Sequence, residues 1–182
     1  KKYEDDILVK AGLVVKNEKG KHYDRFRDRI IFPIYSDKGK MIGFGGRVIN
    51  SEDTPKYYNS PETPLFQKSY ELYGLLSSRK PIREKGYVLV VEWYMDVVGL
   101  SQGNIKNAVA TLGTATSAFH IKKLMRYTQE IIFCFDADDA GRSAAWRAMN
   151  NAVASVTDTI QLKFLFLPDG HDPDSFVREN SS

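Results

Sequence analysis

Residues 131–139 read Ile131-Ile-Phe-Cys-Phe-Asp-Ala-Asp-Asp139. A short, continuous run of β-branched and aromatic residues is typical of a buried strand in a parallel sheet, and here the run ends in acids. If the chain is still extended at this point, Asp136 and Asp138 face the same way, with Cα atoms about 6–7 Å apart. Both can then contact one ion or a close pair of ions. The alternative is a helix N-terminus that Asp138 or Asp139 caps.

Two further strand-like runs also end in carboxylates. Glu92 and Asp96 follow residues 87–91, and Asp172 and Asp174 follow residues 161–167. Acids that converge from three strand ends repel one another unless cations neutralise them. Hard oxygen ligands of this kind suit Mg²⁺ or Mn²⁺, so the pattern predicts metal-dependent phosphoryl chemistry. Taken singly, the two outer clusters are also consistent with acids that complement a helix dipole or form a turn where a helix starts.

Strand-like and helix-like segments alternate from Tyr87 onward. The predicted strands are 87–91, 107–111, 131–135 and 161–167, and the predicted helices are 94–102, 117–128, 141–155 and 173–179. Alternation at these lengths indicates an α/β fold with a doubly wound, mostly parallel sheet. Such sheets bind ligands outside the carboxyl ends of their strands, which is where all three acid clusters fall.

The first half of the chain follows a different pattern and predicts a smaller, mixed α+β subdomain over residues 1–86, ahead of a metal-binding subdomain over residues 87–182. A short charged helix precedes two strands, Arg29–Ser36 and Lys40–Ile49, which the turn Asp37-Lys-Gly39 joins as a hairpin. Glycines in the second strand predict bulges or close backbone approach. The remaining segments are a structured loop at 51–64, a short helix at 65–80 and a link at 79–86.

Basic and acidic residues are divided unevenly between these halves. Residues 1–86 contain 18 Lys and Arg against 12 Asp and Glu, whereas residues 87–182 contain 8 against 11. A basic half beside an acidic half suits a polyanionic substrate such as nucleic acid or a nucleoside triphosphate. A solvated basic face is the alternative.

Particular cations and tyrosines in the basic half are candidates for contacts with that substrate. Arg25, Arg27 and Arg29 alternate and are expected to share a strand face; the other candidates are Arg47, Lys56 and Lys68, interleaved with Tyr57, Tyr58 and Tyr73. Lys and Arg neutralise phosphates and tyrosines offer stacking faces, although some of these positions are consistent with solvent-facing charge. In the second half, the turn Thr111-Leu-Gly-Thr-Ala115 either presents backbone N–H groups to an anion or is an ordinary connection.

Composition excludes several classes of protein. The single cysteine, Cys134, rules out a disulfide framework and a cysteine-based zinc site within this chain, and it is predicted to be a buried thiol. No apolar stretch approaches the roughly 20 residues of a membrane span, and no signal peptide opens the chain, so we expect a cytoplasmic protein without a membrane partner. Because the chain begins Lys-Lys-Tyr-Glu without Met, it is expected to be a fragment.

These motifs, in this order, resemble those of the bacterial DnaG-type DNA primases over roughly residues 23–180. These primases contain a Toprim fold, which topoisomerases and some nucleases share. The segments that resemble its motifs are Glu92-Trp-Tyr-Met-Asp96, Cys134-Phe-Asp-Ala-Asp-Asp-Ala-Gly-Arg142 and Leu167-Pro-Asp-Gly-His-Asp-Pro-Asp174. Segments similar to primase-specific ones are Arg29-Ile-Ile-Phe-Pro-Ile34, Ile42-Gly-Phe-Gly-Gly-Arg47 and Pro55-Lys-Tyr-Tyr-Asn-Ser-Pro-Glu-Thr63. Topoisomerases and Toprim nucleases lack this second set.

The resemblance implies a DNA-directed RNA polymerase, a nucleotidyltransferase that makes short primers on single-stranded DNA from ribonucleoside triphosphates. It implies Mg²⁺ or Mn²⁺ as cofactor and an RNA–DNA hybrid as product. The implied catalytic residues are Glu92, Asp96, Asp136 and Asp138, and the implied metal ligands are Glu92, Asp136, Asp138, Asp172 and Asp174. Glu92 would handle the proton of the attacking 3′-hydroxyl. The implied nucleotide and DNA contacts are Arg25, Arg27, Arg29, Arg47, Lys56, Tyr57, Asn59 and Lys68.

The resemblance also implies a place of action and partners outside the chain. The place is the replication fork in the bacterial cytoplasm, as part of the primosome. The family's amino-terminal zinc-binding module and carboxy-terminal helicase-binding module are missing here, so zinc and the replicative helicase would belong to those modules. Trp93 and Ala137 depart from the family pattern, which usually has Gly at the first position and often at the second. The bulky ring of Trp93 is expected to affect nucleotide access and the local backbone, but it leaves the acids in place.

Two other hypotheses come from different classes. One is a nucleic-acid-binding module whose Toprim site no longer catalyses, for which Trp93 is the best support. The other is part of a Toprim nuclease or topoisomerase, which is disfavoured because no obvious cleavage-tyrosine domain is present.

Overall fold

The computed structural model describes residues 3–50, 52–136, 138–153 and 159–180. By packing, the chain divides into two compact units, Lys1–Gln67 and Lys68–Ser182. The predicted boundary between residues 86 and 87 was drawn from motifs rather than from packing, so it stays a prediction.

The first unit combines a short helix with antiparallel strands. Its elements are α1 (Asp5–Lys10), β1 (Val14–Lys16), β2 (His22–Asp24), β3 (Arg29–Tyr35), β4 (Met41–Val48) and β5 (Tyr57–Asn59). β1 pairs with β2, and a second antiparallel sheet has the order β3-β4-β5. The predicted hairpin is therefore confirmed. A Cβ atom at Gly46 would lie 3.0 Å from the ring of Phe26, which is the close approach that the glycines predicted.

The predicted common strand face of Arg25, Arg27 and Arg29 is wrong. β2 ends at Asp24 and β3 begins at Arg29, so the intervening residues belong to neither strand. The physical reason is the backbone at Asp28, whose φ of 51° is in the left-handed region and breaks an extended chain.

The second unit is built on a parallel sheet. Its strands are β6 (Tyr87–Val91), β7 (Ala108–Ala110), β8 (Glu130–Phe135) and β9 (Gln161–Phe166), in the order β7-β6-β8-β9. Its helices are α2 (Leu75–Lys85), α3 (Tyr94–Gln102), α4 (Ala118–Leu124), α5 (Asp139–Val153) and α6 (Pro173–Asn180). The pairings of β6 with β7 and β8, and of β8 with β9, are parallel, which confirms the predicted fold class.

Strand order decides where the acids lie. The chain passes from β6 to β7 on one side and then to β8 on the other, so the topology switches at β6. The strands that precede the three acid clusters, β6, β8 and β9, are therefore neighbours with carboxyl ends at one edge of the sheet. This is the edge at which open α/β sheets bind ligands.

The main error in the predicted elements concerns residues 65–86. The helix α2 covers most of the segment that was predicted to be a link, and the predicted helix at 65–80 begins only at Leu75. The sequence did not predict a helix through Pro81, because proline removes a backbone donor and usually ends a helix. Burial of Leu75 and Ile82, together with a 2.7 Å hydrogen bond from Ser78 Oγ to the Ala108 carbonyl, holds the helix on the sheet.

Two predicted helices of this unit have different bounds in the structure. α4 ends at Leu124 and is followed by a turn, so it is shorter than predicted. The last two residues of the predicted helix 141–155 lie outside the described residues, as does Ala137.

The core of the second unit lies between the sheet and its helices. Val88 and Val90 of β6 and Ile131 and Phe133 of β8 are buried there. Cys134 is a buried thiol, as predicted, and burial raises its pKa to about 12. Within the described ranges, no helix has the length and apolar character needed to span a membrane.

Candidate active site

Glu92 and Asp96 are placed at the switch point by the end of β6. Glu92 is the first residue after the strand and is half-buried, whereas Asp96, in the first turn of α3, is only 5% exposed. The carboxylate of Asp96 accepts a hydrogen bond of 3.0 Å from the N–H of Trp93, the residue that caps this helix. Asp96 thus accepts a hydrogen bond from a backbone N–H at the helix start, which agrees with the alternative that this acid complements the helix dipole.

The electrostatic surroundings of Asp96 include acids of all three clusters. Burial raises its pKa to about 7, and the hydrogen bond from Trp93 opposes that shift. The negative charges that raise the pKa further come from Asp172, Asp136 and Glu92. The charges that act on the Asp96 carboxyl therefore come from acids at all three strand ends.

Glu92 has the same kind of environment with one added cation. Burial raises the pKa of its carboxyl, and the charges of Asp136 and Asp138 raise it further. The guanidinium of Arg147 on α5 lowers it. A carboxylate with a raised pKa is a stronger proton acceptor than an ordinary surface glutamate.

The turn from β8 into α5 holds the second cluster. Asp136 follows the strand directly and is half-buried, and Asp138 Oδ1 accepts a hydrogen bond of 2.7 Å from the Gly141 N–H. A Cβ atom at Gly141 would lie 2.1 Å from the Asp136 carbonyl oxygen, so only glycine allows the helix to start so close to this strand end. The capping alternative therefore holds for one oxygen of Asp138.

The third cluster separates into an exposed and an enclosed acid. Asp172 Oδ1 accepts a 2.7 Å hydrogen bond from the Ser175 N–H, which caps the start of α6. Asp174 is nearly buried, forms an ion pair with Arg178, and lies where a Cβ atom at Gly99 would be 2.1 Å from its Oδ1. The structure thus gives Asp174 a packing partner and a counter-ion of its own.

Acids of the second and third clusters share one open pocket of about 500 Å³, called here the acidic pocket. Its lining residues are Asp136, Asp138, Asp169, Gly170, His171 and Asp172. Asp169 and His171 were not among the predicted site residues. Their signal was their position in the same loop, since every residue between β9 and α6 lies at the carboxyl edge of the sheet.

The donor set suits a hard divalent cation, because carboxylates follow three neighbouring strand ends and their charges add to the burial that raises the pKa values of Glu92 and Asp96. Among the described residues, however, no three His, Cys, Asp or Glu side chains form a group that could hold a metal ion. Two of the acids, Asp138 and Asp172, are turned toward helix N–H groups. The predicted metal ligands therefore stay a prediction.

Trp93 occupies its position without backbone strain. Its φ of −126° and ψ of 152° are ordinary extended values that any residue adopts, so no glycine is needed there for conformation. The ring lines a second pocket of the sheet edge together with Glu92. The departure from the family pattern therefore changes a pocket wall rather than the path of the chain.

In the first unit, arginines and tyrosines surround a pocket of about 550 Å³, called here the arginine pocket. Its lining includes Arg25, Arg27 and Arg29, so the structure brings these three together even though they share no strand. Arg25 donates a 2.7 Å hydrogen bond to the Tyr58 hydroxyl, and the guanidinium groups of Arg25 and Arg29 lie 5.4 and 5.5 Å from the centre of that ring.

The other predicted contacts are divided between the two units. Arg47 and Lys56 lie 5.8 and 5.7 Å from the ring centre of Tyr57, and Asn59 is in β5 opposite Gly45. Lys68 lies in the second unit, where its carbonyl oxygen contacts the buried ring of His120. The structure therefore clusters the cations of the first unit, and Lys68 belongs to a different body.

Comparison with known proteins also finds two parts, with the boundary between residues 79 and 89 rather than at Gln67. Residues 1–79 match the family model described as the N-terminal domain of the DNA primase catalytic core, and residues 89–177 match the Toprim-like model. The DNA primase of Neisseria meningitidis is 56% identical over 97% of this chain, and that of Pseudomonas putida is 54% identical over 94%. The chain spans only 30% and 26% of the lengths of these two curated relatives.

Solved structures agree with the sequence relatives. A DNA primase domain from Pseudomonas aeruginosa matches 97% of this chain and 55% of its own, with a TM-score of 0.92 and 54% identity. A DnaG primase catalytic domain bound to ssDNA matches 97% of this chain and 57% of its own, with a TM-score of 0.89 and 52% identity. By these matches and by its Toprim sheet with convergent acids, the chain belongs to the DnaG-type DNA primases, of whose catalytic core it spans the N-terminal and Toprim-like domains.

Proposed function

We propose that the chain joins ribonucleotides into a short RNA primer along single-stranded DNA, as part of bacterial DNA replication. The observation that carries this proposal is that acids follow the neighbouring parallel strands β6, β8 and β9, and that Asp136, Asp138 and Asp172 line the acidic pocket. The high identity to DNA primases supports the reaction type.

The reaction forms one bond and breaks one. The 3′-oxygen of one nucleotide attacks the α-phosphorus of the next, and the bond from that phosphorus to pyrophosphate breaks. Glu92 is suited to accept the hydroxyl proton, because its raised pKa makes it a better base than an exposed glutamate. Asp96 keeps α3 anchored beside Glu92 through its hydrogen bond to Trp93.

Divalent metal use is a general feature that a Toprim primase core implies, and we propose Mg²⁺ or Mn²⁺. The residues that would hold it are Glu92, Asp136, Asp138, Asp172 and Asp174, with Asp136, Asp138 and Asp172 lining the acidic pocket. When bound, the cation would stabilise charge that develops on the triphosphate and on the leaving pyrophosphate. Asp174 is the weakest of these candidates, because Arg178 already neutralises it.

The proposed substrates and partners follow from the charges of the first unit. The arginine pocket is proposed to contact the phosphates of single-stranded DNA or of ribonucleoside triphosphates. Arg47 and Lys56, which adjoin the lining residues Val48 and Pro55 in sequence, are proposed to add to these contacts. An RNA–DNA hybrid is the proposed product. We place the activity at the replication fork, in the bacterial cytoplasm, and assign contact with the replicative helicase to parts of the protein outside these residues.

The alternative of a binding module without catalysis is not favoured. Its main support was Trp93, which has ordinary backbone geometry and lines a pocket together with Glu92. The relatives at high identity are DNA primases.

The test is template-directed synthesis by the purified chain. Radiolabelled ribonucleoside triphosphates, single-stranded DNA and Mg²⁺ or Mn²⁺ should yield short RNA products that disappear without template. Glu92→Gln removes the proton acceptor with little change in shape, so product formation should fall by roughly 10²- to 10⁴-fold, the range for general acid–base groups. Equal rates for the wild type and this variant would contradict the assigned role.

A further inference from the structure

A pocket of about 240 Å³ is lined by Glu92 and by none of the residues that line the acidic pocket. Its apolar lining comes from Val90, Val91, Phe135 and Ala144, and its polar lining comes from Glu92, Thr111, Thr114, Thr116 and Arg147. Trp93 adds an aromatic wall. An apolar interior with a few polar groups is the usual composition of a small-molecule site. We call it the glutamate pocket.

The loop that borders this pocket is held at both ends. Thr111 Oγ1 donates a hydrogen bond of 3.4 Å to the Glu92 carbonyl, and the Thr116 carbonyl accepts one of 2.8 Å from the Asn151 side chain. Both threonines are nearly buried, whereas the three residues between Leu112 and Thr116 are exposed. Residues 113–115 therefore form an exposed loop tip whose two ends are held by hydrogen bonds.

The cation of the pocket comes from α5. Arg147 lies four residues before Asn151, so both are on the face of α5 that meets the loop. Its guanidinium is positioned by a 2.6 Å hydrogen bond to Ser143 Oγ, one turn earlier. Arg147 lines the same pocket as Glu92. One positive group thus stands beside the proposed proton acceptor.

We propose that the glutamate pocket holds the ribonucleotide that supplies the attacking 3′-hydroxyl, with its base against Trp93 and its phosphate at Arg147. This inference rests on the proposed function. It assigns the two nucleotides of one joining step to two places: the nucleotide with the hydroxyl lies beside Glu92, and the triphosphate that it attacks lies toward the acidic pocket. Aromatic rings stack on any base, so Trp93 is a sequence-tolerant platform.

The probe is guanosine 5′-monophosphate in buffer with a chelator, because a monophosphate without metal cannot use the acidic pocket. The chain has two tryptophans, and Trp146 is 63% exposed and outside the pocket lining. In a Trp146→Phe background, Trp93 is therefore the sole tryptophan, and its fluorescence reports on this pocket. The monophosphate should quench it in a saturable way.

Paired variants separate the pocket from general charge. Arg147→Gln should weaken binding of the monophosphate by roughly 10- to 100-fold, the range for a lost hydrogen bond to a charged group. Arg126→Gln, at an exposed arginine outside the pocket lining, should leave the affinity unchanged. The absence of saturable quenching, or equal affinities for both variants, would overturn the proposal.

A second arm separates failure of the pocket from failure of the proposed function. Asp136→Asn lies outside the glutamate pocket and should retain affinity for the monophosphate while losing primer synthesis. If the wild-type chain bound the monophosphate through Arg147 but made no RNA, the proposed primase activity would be contradicted, whereas the glutamate pocket would still be a nucleotide-binding site. Normal synthesis with no such binding would overturn the pocket alone.

Discussion

At the scale of single residues, His120 shows how this chain uses a buried titratable group for structure. It stands at the third helical position of α4, where its Nδ1 accepts a 3.1 Å hydrogen bond from the Ser117 N–H. Ser117 Oγ accepts one from the His120 N–H, also at 3.1 Å. The pair forms a capping box in which histidine replaces the usual Glu or Gln.

This arrangement predicts acid sensitivity. Burial lowers the pKa of His120 to about 4, and the nearby Lys123 charge also lowers it, although the Lys68 carbonyl opposes the shift. Because the folded pKa lies below the unfolded value, the unfolded state binds the proton more tightly between these values. Stability is therefore full above about pH 6.5 and falls as pH drops toward 4.

We expect His120 to cost about 2 kcal/mol of unfolding free energy when pH falls from 7 to 5. Urea denaturation at both pH values measures this loss. His120→Gln keeps an acceptor but does not titrate, so its stability should change less with pH than that of the wild type. Lys122→Gln, at an exposed position of the same helix, should keep the wild-type pH dependence. A wild type and His120→Gln that lose stability in parallel would contradict this interpretation.

At the scale of elements, the start of α5 is the closest backbone approach that bears on the site. Gly141 brings the helix against the Asp136 carbonyl, and backbone atoms cannot move aside as a flexible side chain can. Gly141→Ala should therefore shift the helix start, lower stability by about 1–3 kcal/mol as overpacking does, and weaken Mn²⁺ binding. Denaturation and calorimetry of the same preparation measure both effects.

A matched substitution controls for helix propensity. Asn150→Ala introduces alanine at an exposed position of the same helix and should leave Mn²⁺ binding unchanged. If Gly141→Ala were as stable as the wild type and bound Mn²⁺ equally well, the close approach would have no consequence for the site.

The elements differ in how far the sequence predicts them. The parallel strands β6, β8 and β9 were predictable, because buried runs that end in acids carry a strong local pattern. The helix α2 was not, because Pro81 contradicts it locally and only burial on the sheet stabilises it. The position of Arg147 in the same pocket as Glu92 depends on how α5 packs, which no spacing in the chain reveals, whereas Asp174 and Arg178 are spaced i, i+4 within α6.

At the scale of the whole molecule, charge is divided between two bodies with different surfaces. The first unit carries the arginine pocket, and the second carries the convergent acids. Arg47→Ala and Lys56→Ala should each weaken single-stranded DNA binding and reduce the slope of log affinity against log salt by about 0.7, the value for one released counterion on a single strand. Fluorescence anisotropy at several salt concentrations measures the slopes.

The control for these variants lies in the same unit. Lys38→Ala removes an exposed charge from the β3–β4 turn and should leave the slope unchanged. Slopes for Arg47→Ala and Lys56→Ala that equal those of the wild type would show that these side chains are only solvated surface.

The central claim is that acids from three strand ends form one face for a divalent cation. Calorimetric titration of Mn²⁺ into the wild type, Asp136→Asn and Glu84→Gln tests it most directly, because Glu84 is an exposed acid on α2, outside the acid clusters. We predict saturable binding in the wild type and in Glu84→Gln, and a loss of roughly tenfold or more in Asp136→Asn, since removal of one charged ligand costs more than 1.4 kcal/mol. Equal Mn²⁺ affinity in the wild type and in a folded Asp136→Asn would contradict the claim.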